Sequence, residues 1–337
     1  MLPLLAITLG DPGGIGAEVI VKALADDRRR SRARFRVYGR PEPLALACAR
    51  AGISEEWLAQ IETESAGVHS HPWVAAPTTE GGDASFRWVE AAIADALTPR
   101  SHPKHVDGVV TGPISKHAWA LAGHSEFPGH TELFAKRCNA GSFAMMFHAP
   151  PSESALTTRA GLNVILTTVH IPLKDVPSRI TAPRILETIS LGARAMRDFG
   201  YEPARIAVCG LNPHAGEEGL LGDEDHRIIA PAVAQARAAG FDAQGPFPAD
   251  TIFTRALEYP RRRAEFDLVV AMYHDQGLIP LKTLAWDRAV NLTVGLPIVR
   301  TSPDHGTAFN IVGQSIANEG SMGAAIDAAV LLAGHHT

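Results

Sequence analysis

Short apolar runs that stop abruptly in polar, chemically active residues set the strongest limit on how this chain folds. Leu268 to Met272 is continuously apolar and is followed at once by Tyr273, His274 and Asp275. Such a run marks a strand buried on both faces of a parallel sheet. LNVILTTVH brings His170 to the end of a second run, and RIAVCGLNPH brings His214 just past a third. In an open α/β sheet, ligands bind outside the carboxyl ends of the strands, so the three histidines are expected to share one site. Imidazole is the commonest side-chain ligand for zinc, cobalt or iron, and ligands arriving from separate strand ends need no local motif. Neither HExxH nor CxxC is present, and a hydrogen-bonded cleft histidine is the alternative reading of each.

Strands and helical patterns alternate nearly throughout, so the expected class is α/β with a mostly parallel sheet. Further strands are expected at Leu4–Leu9, Phe35–Tyr38, Val106–Val110, Phe143–Phe147, Ser154–Thr158, Leu162–Val169, Arg205–Leu211 and Ala289–Leu296. Phe143–Phe147 and Ser154–Thr158 are expected to run antiparallel around HAPPSES. Helices are expected from GDPGGIGAE to Ala25, then over Pro43–Ala51, Ala182–Phe199, Glu224–Ala239 and Ser321–Ala333. Another begins with Asp83 as its cap and repeats Phe86, Val89, Ile93 and Leu97 at helical spacing.

A chain of 337 residues favours two domains, and 46% hydrophobic content supplies the core that two domains need. A net charge of -5 and a pI near 6.3 give no basic field for nucleic acid. Cys48, Cys138 and Cys209 are scattered and odd in number, as buried thiols of a reducing cytoplasm would be. MLPLLAITLG lacks a basic leader region and runs into Asp11, so it is expected to be a first core strand. No apolar run approaches the ~20 residues that span a bilayer. A soluble cytoplasmic protein without a membrane partner is expected.

Several loops carry polar groups to strand ends. In GDPGGIGAE, the glycines allow a tight turn and the new helix offers N–H groups to an anion, but Asp11 would repel one; a ligand-free turn is the other reading. TGPISK places Lys116 after a strand, and FPGHTELF places His130 and Thr131 in the first turn of a helix. Asp250 in GPFPADTIF, Asp275 and Lys282 are candidate general bases, among which sequence does not choose. RTSPDHGTAFNIVGQSIANEGS reads as a long functional loop.

GDPGGIGAE, TGPISK, FPGHTE, TTVHIPL, GLNPHAGEEG, GPFPADTIF, MYHDQGLIPLK and RTSPDHGTAFNI together resemble the 4-hydroxythreonine-4-phosphate dehydrogenase family, in the family's order and over nearly the full chain. Through it the chain is similar to the isopropylmalate and isocitrate dehydrogenase class. The resemblance implies two α/β domains with a cleft between them, isopropylmalate dehydrogenase-like rather than Rossmann. Residues 1–128 with 300–337 are expected to form the domain contributing the cofactor loop. Residues 129–299 are expected to carry the metal ligands and the dimer interface.

Carried over to this chain, the resemblance makes His170, His214 and His274 ligands of one divalent ion: Zn, Co, Mn or Mg. It divides them between subunits of a homodimer, His170 and His214 on one and His274 on the other. His130, Thr131, Lys282, Asn291 and Arg300 become substrate contacts. His305, Gly306 and Asn318 become contacts of NAD or NADP. The implied reaction is oxidation of 4-phosphohydroxy-L-threonine to a 2-amino-3-oxo acid that decarboxylates to 3-amino-2-oxopropyl phosphate, a step of pyridoxal phosphate biosynthesis. Relatives acting on phosphorylated threonate-type acids or cyclic dihydrodiols supply an alternative. A metal-dependent hydrolase or lyase and a non-catalytic metabolite-binding protein are the readings from other classes.

Overall fold

The computed structural model describes residues 2–151, 161–258 and 262–335. The strand expected over Ser154–Thr158 therefore lies outside the described residues, as does most of the stretch around it. Strands form at Leu4–Thr8 (β1), Arg34–Tyr38 (β2), Glu62–Glu64 (β3), Gly108–Thr111 (β4), Ala144–Ala149 (β5), Leu162–Leu166 (β6), Ile206–Cys209 (β7), Ala243–Phe247 (β8), Leu268–Ala271 (β9), Val290–Val294 (β10) and Val299–Pro303 (β11). Helices form at Gly16–Leu24 (α1), Asp27–Arg30 (α2), Pro41–Ala51 (α3), Thr79–Ala96 (α4), Lys116–Leu121 (α5), His130–Arg137 (α6), Val176–Arg179 (α7), Ala182–Asp198 (α8), Ala230–Ala238 (α9), Ala249–Arg255 (α10), His274–Ala285 (α11) and Gly320–His335 (α12). The class is α/β, and among the described residues no helix is long and apolar enough to cross a membrane.

The chain divides into two compact units, Met1–Gly141 with Leu296–Thr337, and Ser142–Gly295. The first boundary falls after Gly141 rather than after Pro128, so α6 and its His130 belong to the first unit. Strands of the first unit follow the order β3-β2-β1-β4-β11, and every pair is parallel. Ile7 sits between Val37 and Val110 in register, and all three are buried. Continuous apolar burial is what a parallel strand covered on both faces requires.

In the second unit the order is β10-β5-β6-β9-β7-β8. Here β10–β5 and β5–β6 are antiparallel, while β6–β9, β9–β7 and β7–β8 are parallel. Strand β5 thus has an antiparallel neighbour on each side, β10 and β6. Its core gathers Phe147, Val164, Leu166, Val269, Leu278 and Leu281, all at most 3% exposed. Gly192 of α8 lets that helix approach the sheet, since a Cβ there would stand 2.5 Å from Leu268 Cδ2.

Three expectations about local structure are corrected. Thr78, not Asp83, caps α4: its Oγ1 accepts the Gly81 N–H at 3.0 Å, and Asp83 lies inside the helix. The GPFPADTIF stretch is not a loop, because its first half belongs to β8 and its second to α10. Pro246 is accommodated because β8 is an edge strand, where a missing donor is tolerated. Finally, Val299–Pro303 is a buried strand where a polar loop was expected from Arg300 onward. Polar residue types hid it, yet Thr301 donates its Oγ1 hydrogen to Ala325 O at 2.8 Å and Arg300 bonds Thr111, so both are satisfied inside.

Candidate active-site groups

In the second unit, three of the expected metal ligands leave the sheet at neighbouring strand ends. Beyond β6, Thr167 N–H donates to Ala271 O at 2.8 Å and Thr168 N–H to Met272 O at 3.2 Å, so the two chain segments stay paired past the strands. His170 then emerges exposed, and His274 opens α11. Their ring centroids are 5.4 Å apart. The Asp275 Oδ1 lies 2.7 Å from His274 Nδ1. A carboxylate only accepts, so Nδ1 holds the proton and Nε2 keeps a free lone pair, the orientation a metal-ligating histidine needs.

Gln276, which sequence reasoning missed, fixes this arrangement. Its Oε1 accepts the Met272 N–H at 2.6 Å and its Nε2 donates to Gly210 O at 2.7 Å, tying the end of β9 to the end of β7. The loop after β7 carries His214 in left-handed backbone (φ 53), followed by Ala215, Glu217 and Glu218, also at positive φ. Asp225 holds the start of that loop, accepting the Leu211 N–H at 2.8 Å and the Asn212 N–H at 3.1 Å. Consecutive non-glycine residues in this region are costly and persist where surroundings impose them, which is common at functional loops. Among the described residues, no group of three His, Cys, Asp or Glu converges to hold a metal ion; His170 and His274 are the pair brought together.

Asp250 in the first turn of α10 and Asp275 line one groove of about 500 Å³, together with Tyr273 and Gln276. Lys282 does not line it and instead lies over the Trp286 ring at 5.4 Å. On β10, the Asn291 Oδ1 is buried without a hydrogen-bond partner among the described residues.

The first unit brings Arg300 and His130 together around α6. Arg300 of β11 is 4% exposed, donates from Nη2 to Thr111 Oγ1 at 2.8 Å, and lies 5.7 Å from the Phe134 ring centroid. Burial lowers its guanidinium to about 10. His130, the first residue of α6, meets the Trp119 ring edge-on at 5.6 Å, and its Nε2 is buried without a hydrogen-bond partner among the described residues. Burial first, then the charges of Arg300 and Lys116, hold this imidazole neutral well below its ordinary range. Thr131 is the second helical residue, so it does not cap α6; Gly129 occupies the cap position.

The glycine loop forms a tight turn into α1. Gly13 N–H is bound by Asp11 Oδ1 at 3.0 Å, Gly14 N–H by Asp11 O at 2.9 Å, and Ile15 N–H by Thr307 O at 3.0 Å. Three amides of the loop are thus engaged by the protein itself. Asp11 itself is 1% exposed, its Oδ2 has no hydrogen-bond partner among the described residues, and burial raises its carboxyl to about 6. Gly10 (φ +77) must be glycine, since a Cβ there would stand 2.3 Å from Pro113 O.

Of the expected cofactor contacts, His305 is half-buried with Nδ1 3.1 Å from Gly306 O, and Gly306 is exposed. Asn318 Oδ1 accepts the Gly320 N–H at 2.7 Å at the start of α12, a capping role. A cavity of about 370 Å³ lies beside the same segments, lined by Gly13, Gly14, Arg50, Trp73, Val312 and Gly313 among others, but not by those three residues.

The family model for the pyridoxal phosphate biosynthetic protein PdxA matches residues 33–329. The chain belongs to the PdxA family. The PdxA-family relatives include 4-hydroxythreonine-4-phosphate dehydrogenase of Cupriavidus pinatubonensis, 41% identical over 98% of this chain and 95% of the relative. D-threonate 4-phosphate dehydrogenase of Cupriavidus necator is 42% identical, covering 95% of this chain and 94% of its own. The crystal structure of 4-hydroxythreonine-4-phosphate dehydrogenase from Klebsiella pneumoniae superimposes with a TM-score of 0.81 at 38% identity, covering 99% of this chain and 98% of that one.

Proposed function

We propose that this PdxA-family chain oxidises the C3 alcohol of 4-phosphohydroxy-L-threonine with NAD or NADP, the 2-amino-3-oxo acid then decarboxylating to 3-amino-2-oxopropyl phosphate. The observation that carries this is near-full-length identity of about 40% to enzymes of that name. Two named dehydrogenase activities among the relatives favour redox chemistry over a hydrolase or lyase. The isopropylmalate dehydrogenase-like, non-Rossmann domain arrangement and the homodimer belong to the same reading.

Alcohol oxidation needs a base for the hydroxyl proton and an acceptor for the hydride. A bound nicotinamide would supply the hydride acceptor, a role no side chain can take. Asp250 and Asp275 share one groove and are the favoured bases over Lys282, whose ammonium faces an indole. Arg300, His130 and Thr131 bind the oxyanion end of the substrate, with Asn291 and Lys282 as further contacts. A buried guanidinium makes charge-assisted bonds to phosphate or carboxylate, and a neutral imidazole can donate without repelling either cation nearby. His305, Gly306 and Asn318 belong to the dinucleotide segment.

The donor set fits a divalent ion: His170 and His274 lie side by side with His274 oriented by Asp275, and His214 stands on a loop braced by Asp225. Three imidazoles suit Zn, Co or Mn better than Mg. When bound, the cation polarises the alcohol oxygen and offsets the negative charge that develops as carbon dioxide leaves. The division of the ligands that the resemblance implies, His170 and His214 on one subunit and His274 on the other, belongs to the same proposal.

The 42% identity to D-threonate 4-phosphate dehydrogenase supports a second substrate, with a hydroxyl in place of the amine at C2. A panel of 4-phosphohydroxy-threonine and threonate 4-phosphate, each with NAD and NADP, tests both readings through reduced-nicotinamide absorbance. No absorbance change with either substrate would overturn the proposed activity.

A further inference from the structure

The lysine of TGPISK has no part in the assignments above, yet it sits at the cluster of Arg300 and His130. Ser115 caps α5, its Oγ accepting the Ala118 N–H at 3.1 Å, and so fixes Lys116 as the exposed first residue of that helix. A Cβ on Gly129 would stand 3.5 Å from Lys116 Cε and 4.0 Å from its Nζ, which puts the ammonium over the residue that leads into α6. Trp119 of the same α5 packs edge-on against His130, so the two helices hold this relation rigidly. Lys116 makes no hydrogen bond or ion pair among the described residues, although Glu132 Oε2 lies 3.5 Å from the same Gly129 position.

We propose that Lys116 is a further substrate-binding residue that contacts the phosphate ester held by Arg300, His130 and the first turn of α6; this rests on the function proposed above. The charge balance argues for it. Two cations, Lys116 and Arg300, face a neutral His130 against one carboxylate, Glu132. Like charges gathered this closely at a helix N-terminus are stabilised by an anion, and a phosphate monoester brings about -1.5 to -2 charges near neutral pH. Arg300 supplies a planar fork and Lys116 a point charge, the usual division of labour in phosphate sites.

The test compares Lys116→Met, which keeps the stem, and Lys116→Arg, which keeps the charge, in the full-length protein after melting curves confirm the fold. Lys116→Met should raise KM for the phosphorylated substrate about tenfold or more, leave KM for NAD unchanged, and be largely rescued in Lys116→Arg. Inorganic phosphate titrated calorimetrically should bind the wild type more tightly than Lys116→Met by a similar factor. Unchanged KM in Lys116→Met, or an equal rise for NAD, overturns the assignment. If the wild type oxidises no phosphorylated hydroxy acid, the parent function fails, and calorimetry still decides. Weaker phosphate binding in Lys116→Met then supports the contact, while equal or absent binding in both overturns it.

Discussion

His170 and His274 leave adjacent parallel strands, β6 and β9, with ring centroids 5.4 Å apart within a single chain. The proposed division, with His170 and His214 on one subunit and His274 on the other, gives subunit mixing a defined pattern. A His214→Ala homodimer and a His274→Ala homodimer are each expected to be inactive, but their heterodimer keeps one intact site and should regain up to half the activity. A mixture of His170→Ala and His214→Ala should regain none, because each site of that heterodimer then carries one defect. Recovery in the second mixture, or none in the first despite subunit exchange, would overturn the division.

Metal dependence follows from the same ligands. Chelation should abolish activity, and Zn, Co or Mn should restore it better than Mg. Cobalt-loaded protein should show visible ligand-field absorption that His274→Ala loses. A fully stripped enzyme that retains its rate would remove the metal from the reading.

Arg300→Ala is expected to weaken substrate far more than NAD. Losing charge-assisted bonds to an oxyanion costs about 1.5 to 3 kcal/mol, or roughly 10 to 100-fold in kcat/KM. Since Arg300 also bonds Thr111 in the core, Arg300→Lys is the companion variant that separates recognition from packing. Equal losses for substrate and NAD would place Arg300 at the cofactor or in a purely structural role.

Much of this was legible beforehand, and the reasons differ by residue. The apolar runs of β6, β7 and β9 announced the histidines because a parallel strand buried on both faces needs a continuously apolar composition. Strand β11 was not legible: Arg300 and Thr301 are polar by type and are buried only because Thr111 and Ala325 O, remote in sequence, satisfy them. Gln276 was invisible for a similar reason, since one of its partners, Gly210 O, lies just past β7 and far away in sequence. At Asp11 the sequence suggested a charge that would repel an anion from the loop; its carboxyl turns back onto that loop and is buried, which the residue type alone does not announce.

That burial carries a pH signature. An acid raised from 3.8 to about 6 by burial stabilises the fold while protonated, so its contribution is full below pH 3.8 and is lost as the pH rises to about 6. Ionising it in place costs roughly 3 kcal/mol. Asp11→Asn can still accept the Gly13 N–H, and its urea midpoint should exceed that of the wild type at pH 7 and converge with it near pH 4. Parallel midpoints across that range would mean Asp11 is not proton-linked to folding.

The first unit is built from two stretches of sequence, with Ser142–Gly295 inserted between them. During synthesis, β4 is therefore made with β1 on one side and nothing on the other until β11 leaves the ribosome. At about 5–20 residues per second, the intervening unit takes roughly 8 to 30 s to translate. For that interval the GVVT edge and the surface later covered by α12 stay open, long enough for a chaperone to bind or for two nascent chains to pair. The inserted unit has its whole sheet available first, so it is expected to become protease-resistant on stalled ribosomes before the N-terminal segment does.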